Sequence, residues 1–161
     1  MTPAADKSRT STAEPFTHRN LPLLLLQARE QVIARFRPLL NENGVTEQQW
    51  RIVRAILERG PMEPREIVTL CCISSPSLAG VLTRMEETGY VVRERLSHDQ
   101  RRVKVSLTAK SRALATRIAP KIEAAYADLE AQIGPEFSGQ FYDALDRMIA
   151  TLGDVPDETA D

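Results

Sequence analysis

Two histidines and two cysteines in 161 residues are too few for the metal centres and nucleophile-base pairs by which most enzymes are recognised. His18 falls in a stretch rich in Ser, Thr, Ala and Pro, and His98 in a short polar link; neither has a second candidate group beside it. Cys71 and Cys72 are adjacent, which gives neither a disulfide framework nor a Cys-x-x-Cys spacing and suits a reducing compartment. Glycine-rich phosphate loops, a Walker A motif and a His-Glu-x-x-His helix are missing. No catalytic residue, metal ligand or cofactor is therefore expected, and the chain reads as something other than an enzyme.

Long apolar runs are missing as well. The longest, Leu23-Leu24-Leu25-Leu26, is too short to cross a bilayer or to form a secretory core, so no membrane partner is expected and the protein reads as cytoplasmic. Nor does one sign of charge dominate: 21 Lys and Arg stand against 22 Asp and Glu, a net of -1. That balance excludes indiscriminate coating of nucleic acid, and any contact with DNA has to come from a local cluster of positive charge.

What is present is helical periodicity on the scale of one domain. Residues 1–19 and 153–161 have no apolar period and read as disordered tails, the second of them acidic. Between them, Leu25, Leu26, Val32, Ile33, Phe36, Leu39 and Leu40 mark one helix over Leu23 to Leu40, stopped by Asn43-Gly44. Thr46 and Gln49 form a capping box for a helix to about Arg59, with Val45 and Trp50 placed as a hydrophobic staple. Pro64 opens a short third helix, and Ser75-Pro76 reads as the N-cap and first residue of a fourth that ends at Gly89. Tyr90 to Leu96 and Val103 to Leu107 are strand-like runs joined by a charged loop, residues 97–102. Thr108 caps a long helix expected to bend or break near Pro120, and Gly134-Pro135 starts the last.

This order predicts a mainly α fold with a small β-wing. Residues 46–108 form a winged helix-turn-helix lobe, while 20–45 and 109–152 supply helices with more apolar surface than that lobe can cover. The excess predicts a homodimer joined by helices from both ends of the chain. The second helix of such a motif enters the major groove N-terminus first, which places Ser75, Ser77 and Arg84 against DNA. Simple capping is an alternative for the serines, and a solvated helix face is one for Arg84. In the hairpin, Arg93, Arg95, Arg101, Arg102 and Lys104 outnumber Glu94 and Asp99, a basic wing suited to the phosphate backbone and a narrow minor groove. Asp99 is placed to hold Arg101 extended; a merely soluble hairpin is the competing reading.

Thr46-Glu47-Gln48-Gln49-Trp50, then Leu82 through Arg93 with its Gly89-Tyr90-Val91, then Asp99-Gln100-Arg101-Arg102 and Leu107-Thr108 resemble the MarR family of regulators. The resemblance spans about Leu23 to Leu152. Within the family, Leu26-Gln27-Ala28-Arg29-Glu30, Phe36-Arg37-Pro38, Glu47 through Val53 and Asp99-Gln100-Arg101 resemble the branch that regulates homoprotocatechuate (4-hydroxyphenylacetate) degradation. The resemblance implies a homodimeric repressor that binds near-palindromic double-stranded operator DNA and is released by a small aromatic acid effector.

Arg29 bears on that effector. It lies on the apolar stripe of the first helix, between Leu25 and Ile33, where a bare guanidinium is costly to bury. Either a carboxylate of the protein or the carboxylate of a ligand completes it, and the resemblance favours the ligand. Trp50 reads as pocket wall or as core, while Arg35 and Arg93 read as partners for a ligand or for phosphate. Because the family includes thiol sensors, detection of oxidants through Cys71 and Cys72, or of another phenolic acid, stays open beside the first reading.

Overall fold

The computed structural model describes residues 15–155. Of the tails expected at 1–19 and 153–161, residues 1–14 and 156–161 lie outside the described residues. Asn20 caps α1 (Leu21–Ile33), its side chain accepting from the amide of Leu23 at 3.1 Å. The single helix expected over Leu23 to Leu40 is two: a tight turn at residues 34–36 separates α1 from α2 (Arg37–Glu42). Pro38 is the cause, since it has no N–H for the carbonyl of Ala34 and its ring crowds that carbonyl. The amides of Arg35 and Phe36 turn to residues three back, Val32 and Ile33.

The capping box of Thr46 and Gln49 opens α3 (Glu47–Arg59), which Gly60 ends at φ 83°. α4 (Pro64–Cys71) and α5 (Ser75–Glu87) come next as the two helices of the helix-turn-helix. The N-cap of α5 is Ser74, not Ser75: Ser74 is extended and its carbonyl accepts from Leu78 at 2.8 Å, which makes Ser75 the first helical residue. β1 (Val91–Leu96) pairs antiparallel with β2 (Asp99–Leu107). The charged segment expected as a loop is thus mostly strand. Leu96 pairs with Asp99 and Arg95 with Val103, so Gln100, Arg101 and Arg102 bulge from the ladder. Met62 adds a bridge to Val105, fastening the wing to the start of the helix-turn-helix.

α6 (Ala109–Ile133) runs through Pro120 without a break. Pro120 lies on the exposed face of the helix, while Ile118 and Ile122 on either side are buried and hold the helix down. Gly134, at φ 92°, turns the chain into α7 (Pro135–Leu152).

Two cores result. One fills the DNA-binding lobe with Ile52, Ile56, Ile67, Leu78, Leu82, Met85, Val91 and Val105. The other joins α2 to α6 through Phe36, Leu40, Val45, Leu114, Ile118 and Ile122. Trp50 and Tyr90 pack against both. By contrast α1 buries no residue and α7 buries only Ser138, leaving Leu26, Phe137, Tyr142, Ile149 and Leu152 exposed. No single helix among the described residues is long and apolar enough to cross a membrane.

Candidate functional site

Two surfaces carry chemistry. The first is the outer face of α5 with the wing. Leu78, Val81, Leu82 and Met85 face the core, so Ser77, Gly80, Thr83, Arg84 and Glu87 are turned outward. Ser75 is half-buried in the first turn, and Ser77 accepts from the hydroxyl of Ser74 at 2.9 Å. Arg84 lies over Gly80, its Nη1 3.7 Å from where a Cβ there would stand.

The wing arginines are not equivalent. Asp99 does not hold the guanidinium of Arg101; its Oδ1 accepts from the Arg101 backbone amide at 3.0 Å, and the Arg101 side chain enters no ion pair among the described residues. The physical reason is reach, because an Asp closes a ring with the amide two residues on more readily than with a side chain pointing outward. Arg95 donates to the carbonyl of Gln100 inside the hairpin. Arg102 is bound at the root of the wing by the buried carboxylate of Glu63, to which Arg65 also donates at 3.0 Å. Arg93 donates to Glu86 of α5 at 2.5 Å. These hydrogen bonds from Arg102 and Arg93 hold the carboxyls of Glu63 and Glu86 below their ordinary range.

The second surface is a cavity of about 570 Å³ between α1, α3, the end of α4, α6 and α7. Phe36, Trp50, Tyr126 and Phe141 supply aromatic wall, with the rings of Phe36 and Tyr126 4.7 Å apart. Burial pushes the Tyr126 hydroxyl above its ordinary pKa. Arg29, Arg51, Arg54 and Arg59 line the same space against Glu47 and Glu58. Glu47 is the hub: it accepts from Arg29, from Arg51 at 2.8 Å and from Arg37 at 3.5 Å. Arg29 also meets Glu30 at 2.9 Å, and Arg54 donates to Glu58 at 2.5 Å. Arg51 reaches further, its Nη1 donating to the carbonyl of Cys71 at 2.6 Å. Four guanidiniums against two carboxylates leave the wall net positive beside aromatic surface, a combination that suits an aromatic anion.

Of the expected ligand residues, the fold brings Arg29 and Trp50 to this cavity; Arg35 and Arg93 are not in its wall. Arg35 donates to Gln132 at 2.9 Å, and Arg93 belongs to the wing. Arg29 is not buried bare: its side chain is 45% exposed and paired with Glu30 and Glu47. Arg51, Arg54 and Tyr126 are functional candidates that the sequence alone does not single out. Arg54 has a usable signal, standing four residues after Trp50 on the same helix face. Tyr126 has none, since only the packing of α6 brings it to α3. Cys71 is buried in the cavity wall and its thiol is pushed up by burial, while Cys72 is exposed.

Comparison with known proteins agrees with this architecture. The model of the MarR family matches residues 45–103. The chain is 43% identical over 133 residues, 83% of its own length and 90% of the relative's, to the homoprotocatechuate degradative operon repressor of Escherichia coli. Among solved structures, the transcriptional regulator PA4135 is similar at 39% identity and a TM-score of 0.79, covering 81% of this chain and 96% of that one. NadR in complex with 4-hydroxyphenylacetate is similar at 38% identity and a TM-score of 0.76, covering 84% of this chain and 96% of that one. With a winged helix-turn-helix lobe, helices from both ends of the chain and likeness over most of its length, the chain belongs to the MarR family of transcriptional regulators.

Proposed function

We propose that the protein is a homodimeric repressor that holds a near-palindromic operator and releases it when an aromatic carboxylic acid fills the cavity. One observation carries the reading: a cavity of about 570 Å³, between the outer helices and the DNA-binding lobe, has a wall that joins aromatic rings to an excess of guanidiniums. Arg29 and Arg54 take the ligand carboxylate in competition with the resident carboxylates, Glu30 and Glu47 on the one and Glu58 on the other, and Trp50, Phe36 and Tyr126 flank the ring. The E. coli relative acts on a homoprotocatechuate operon and NadR binds 4-hydroxyphenylacetate, which supports a hydroxyphenylacetate here. The unpaired apolar faces of α1 and α7 support the dimer, which would act in the cytoplasm on half-sites about one helical turn apart, roughly 34–36 Å. The high pKa of the buried Cys71 thiol speaks against oxidant sensing there, since the thiolate is the reactive form.

A thermal-shift panel of aromatic acids, run beside gel shifts on an operator fragment, tests this. A ligand that binds only the native dimer raises its melting point. The expected result is a rise with 4-hydroxyphenylacetate or homoprotocatechuate and loss of the shifted band at the same concentrations. A rise only with other phenolic acids reassigns the effector, and no rise with any acid ends the effector reading.

A further inference from the structure

We infer that Arg51 is the positioning residue through which an occupied cavity reaches the recognition helix, an inference that rests on the effector reading above. Arg51 stands between two partners on different helices, Glu47 of its own α3 and Cys71 of α4. Its Nη2 donates to Glu47, the carboxylate hub of the cavity, at 2.8 Å, and its Nη1 donates to the carbonyl of Cys71 at 2.6 Å. Cys71 is the last residue of α4, so this carbonyl is among those a helix end leaves without an intrahelical donor. The contact is reciprocal, because the Cys71 thiol lies 3.8 Å from the carbonyl of Arg51.

The next three residues make that hydrogen bond consequential. Cys72 holds φ 50°, the one positive φ outside glycine among the described residues. A cysteine stays in that region only where its surroundings hold it there. Ile73, buried, and Ser74, the N-cap of α5, come after it, so the left-handed turn sets the direction in which α5 leaves. Arg51 thus clamps the turn that aims the recognition helix, and it does so from the cavity wall.

A guanidinium binds a carboxylate more strongly than a neutral carbonyl, and its planar fork serves a limited set of directions. A ligand carboxylate placed among Arg29, Arg51 and Arg54 competes for Arg51 with the Cys71 carbonyl. Once Arg51 turns to the ligand, that carbonyl loses its donor, the left-handed turn relaxes, and α5 leaves the pose that fits the groove. Two other cavity arginines are engaged elsewhere, Arg29 with Glu30 and Glu47 and Arg54 with Glu58 of its own helix, and Arg59 enters no ion pair among the described residues. Linkage makes the effect mutual, so operator binding weakens the ligand by the same factor.

The test compares wild type, Arg51→Met and Arg51→Lys by operator anisotropy with and without saturating 4-hydroxyphenylacetate, and by calorimetry of the same acid on the free dimer. In wild type the acid is expected to lower operator affinity by roughly 5- to 150-fold. Arg51→Met is expected to bind operator more weakly from the start and to take up the acid more weakly but measurably, through Arg29 and Arg54, with its residual operator affinity falling by less than about 2-fold at saturating acid, well under that coupling range. Arg51→Lys, with a single ammonium in place of a fork, falls between. A merely structural role would weaken the operator complex and leave this ratio intact, which would overturn the relay. Loss of calorimetric binding in Arg51→Met would overturn it too, making Arg51 a ligand anchor. If wild type takes up none of the acid, the effector reading fails and the relay with it. Amide exchange of the wild-type dimer needs no variant: residues 71–75 should exchange faster with the acid bound, and unchanged exchange there overturns the inference.

Discussion

Arg102, a wing residue that charge alone would assign to DNA, donates through Nε at 2.6 Å to Glu63, a carboxylate only 8% exposed at the start of α4. Its neighbour Arg101 enters no ion pair among the described residues. The two adjacent arginines should therefore separate in a salt titration of operator binding. Arg101→Ala should weaken binding and make the slope of log affinity against log salt shallower by about 0.9 for each phosphate that is no longer neutralised, twice that in a symmetric dimer. Arg102→Ala should also weaken binding, by loosening the wing, but with the wild-type slope. Equal slopes for the two variants would put both guanidiniums on phosphate.

The same carboxylate makes stability depend on pH. The hydrogen bond from Arg102 lowers the folded pKa of Glu63 below its unfolded value, and bonds from Arg93 and Arg37 do the same for Glu86 and Glu30. A group whose pKa is depressed by folding stabilises the native state above its unfolded pKa and ceases to as pH falls through the folded one. The melting temperature should hold near neutrality and fall as pH drops through and below the ordinary carboxylate range, about 4.3. Glu63→Gln should melt lower at neutral pH and show a flatter acid limb. An unchanged acid limb would mean that the Glu63–Arg102 pair contributes nothing to it.

The exposed faces of α1 and α7 lead to the next expectation. Leu26 is 54% exposed, Ile149 63% and Leu152 76%, on helices that bury almost nothing in the single chain. Light scattering at micromolar concentration should give twice the 18.0 kDa chain mass. Leu26→Glu with Ile149→Glu should shift the mass toward the monomer and abolish binding to a two-half-site operator. Full-affinity operator binding by a monomer would remove the dimer from the account.

Local signals carry most of the fold. Thr46 with Gln49 and Thr108 before the long helix are caps whose side chains close on nearby amides, so their meaning is complete within four residues. Pro38 and Pro120 act in opposite senses, the first ending a helix expected to continue and the second sitting inside a helix, expected to bend or break there, that does not break. Helix breaking depends on whether water or packing receives the orphaned carbonyl, and that is a tertiary fact. The candidate site is legible only in part for the same reason. Trp50 and Arg29 stand on periodic stripes, but Tyr126 and the Arg51–Cys71 hydrogen bond arise from chain segments brought together at long range. The pairing of Arg102 is not legible because charge counting cannot see a buried Glu63 39 residues away.

The Arg29–Glu47 pair sets what an effector has to overcome. In the structure Glu47 already occupies the guanidinium that the ligand reading assigns to a ligand carboxylate, and it draws on Arg51 and Arg37 as well. An incoming carboxylate therefore competes with a resident one. Removing the resident charge without changing its shape should favour the newcomer: Glu47→Gln should bind 4-hydroxyphenylacetate more tightly, and release operator at a lower concentration of it. A partly exposed pair of this kind is worth up to about 1 kcal/mol, so the gain should be up to roughly 5-fold. Arg29→Ala should do the opposite, keeping operator binding while raising the acid concentration needed for release. Arg29→Lys should recover only part of the response, since an ammonium cannot make the planar two-point contact. Calorimetry and gel shifts on the three variants decide the matter. If Glu47→Gln loses the acid while Arg29→Ala releases operator at the wild-type concentration, the resident pair is structural and Glu47 itself, not Arg29, holds the ligand, as acceptor for a phenol.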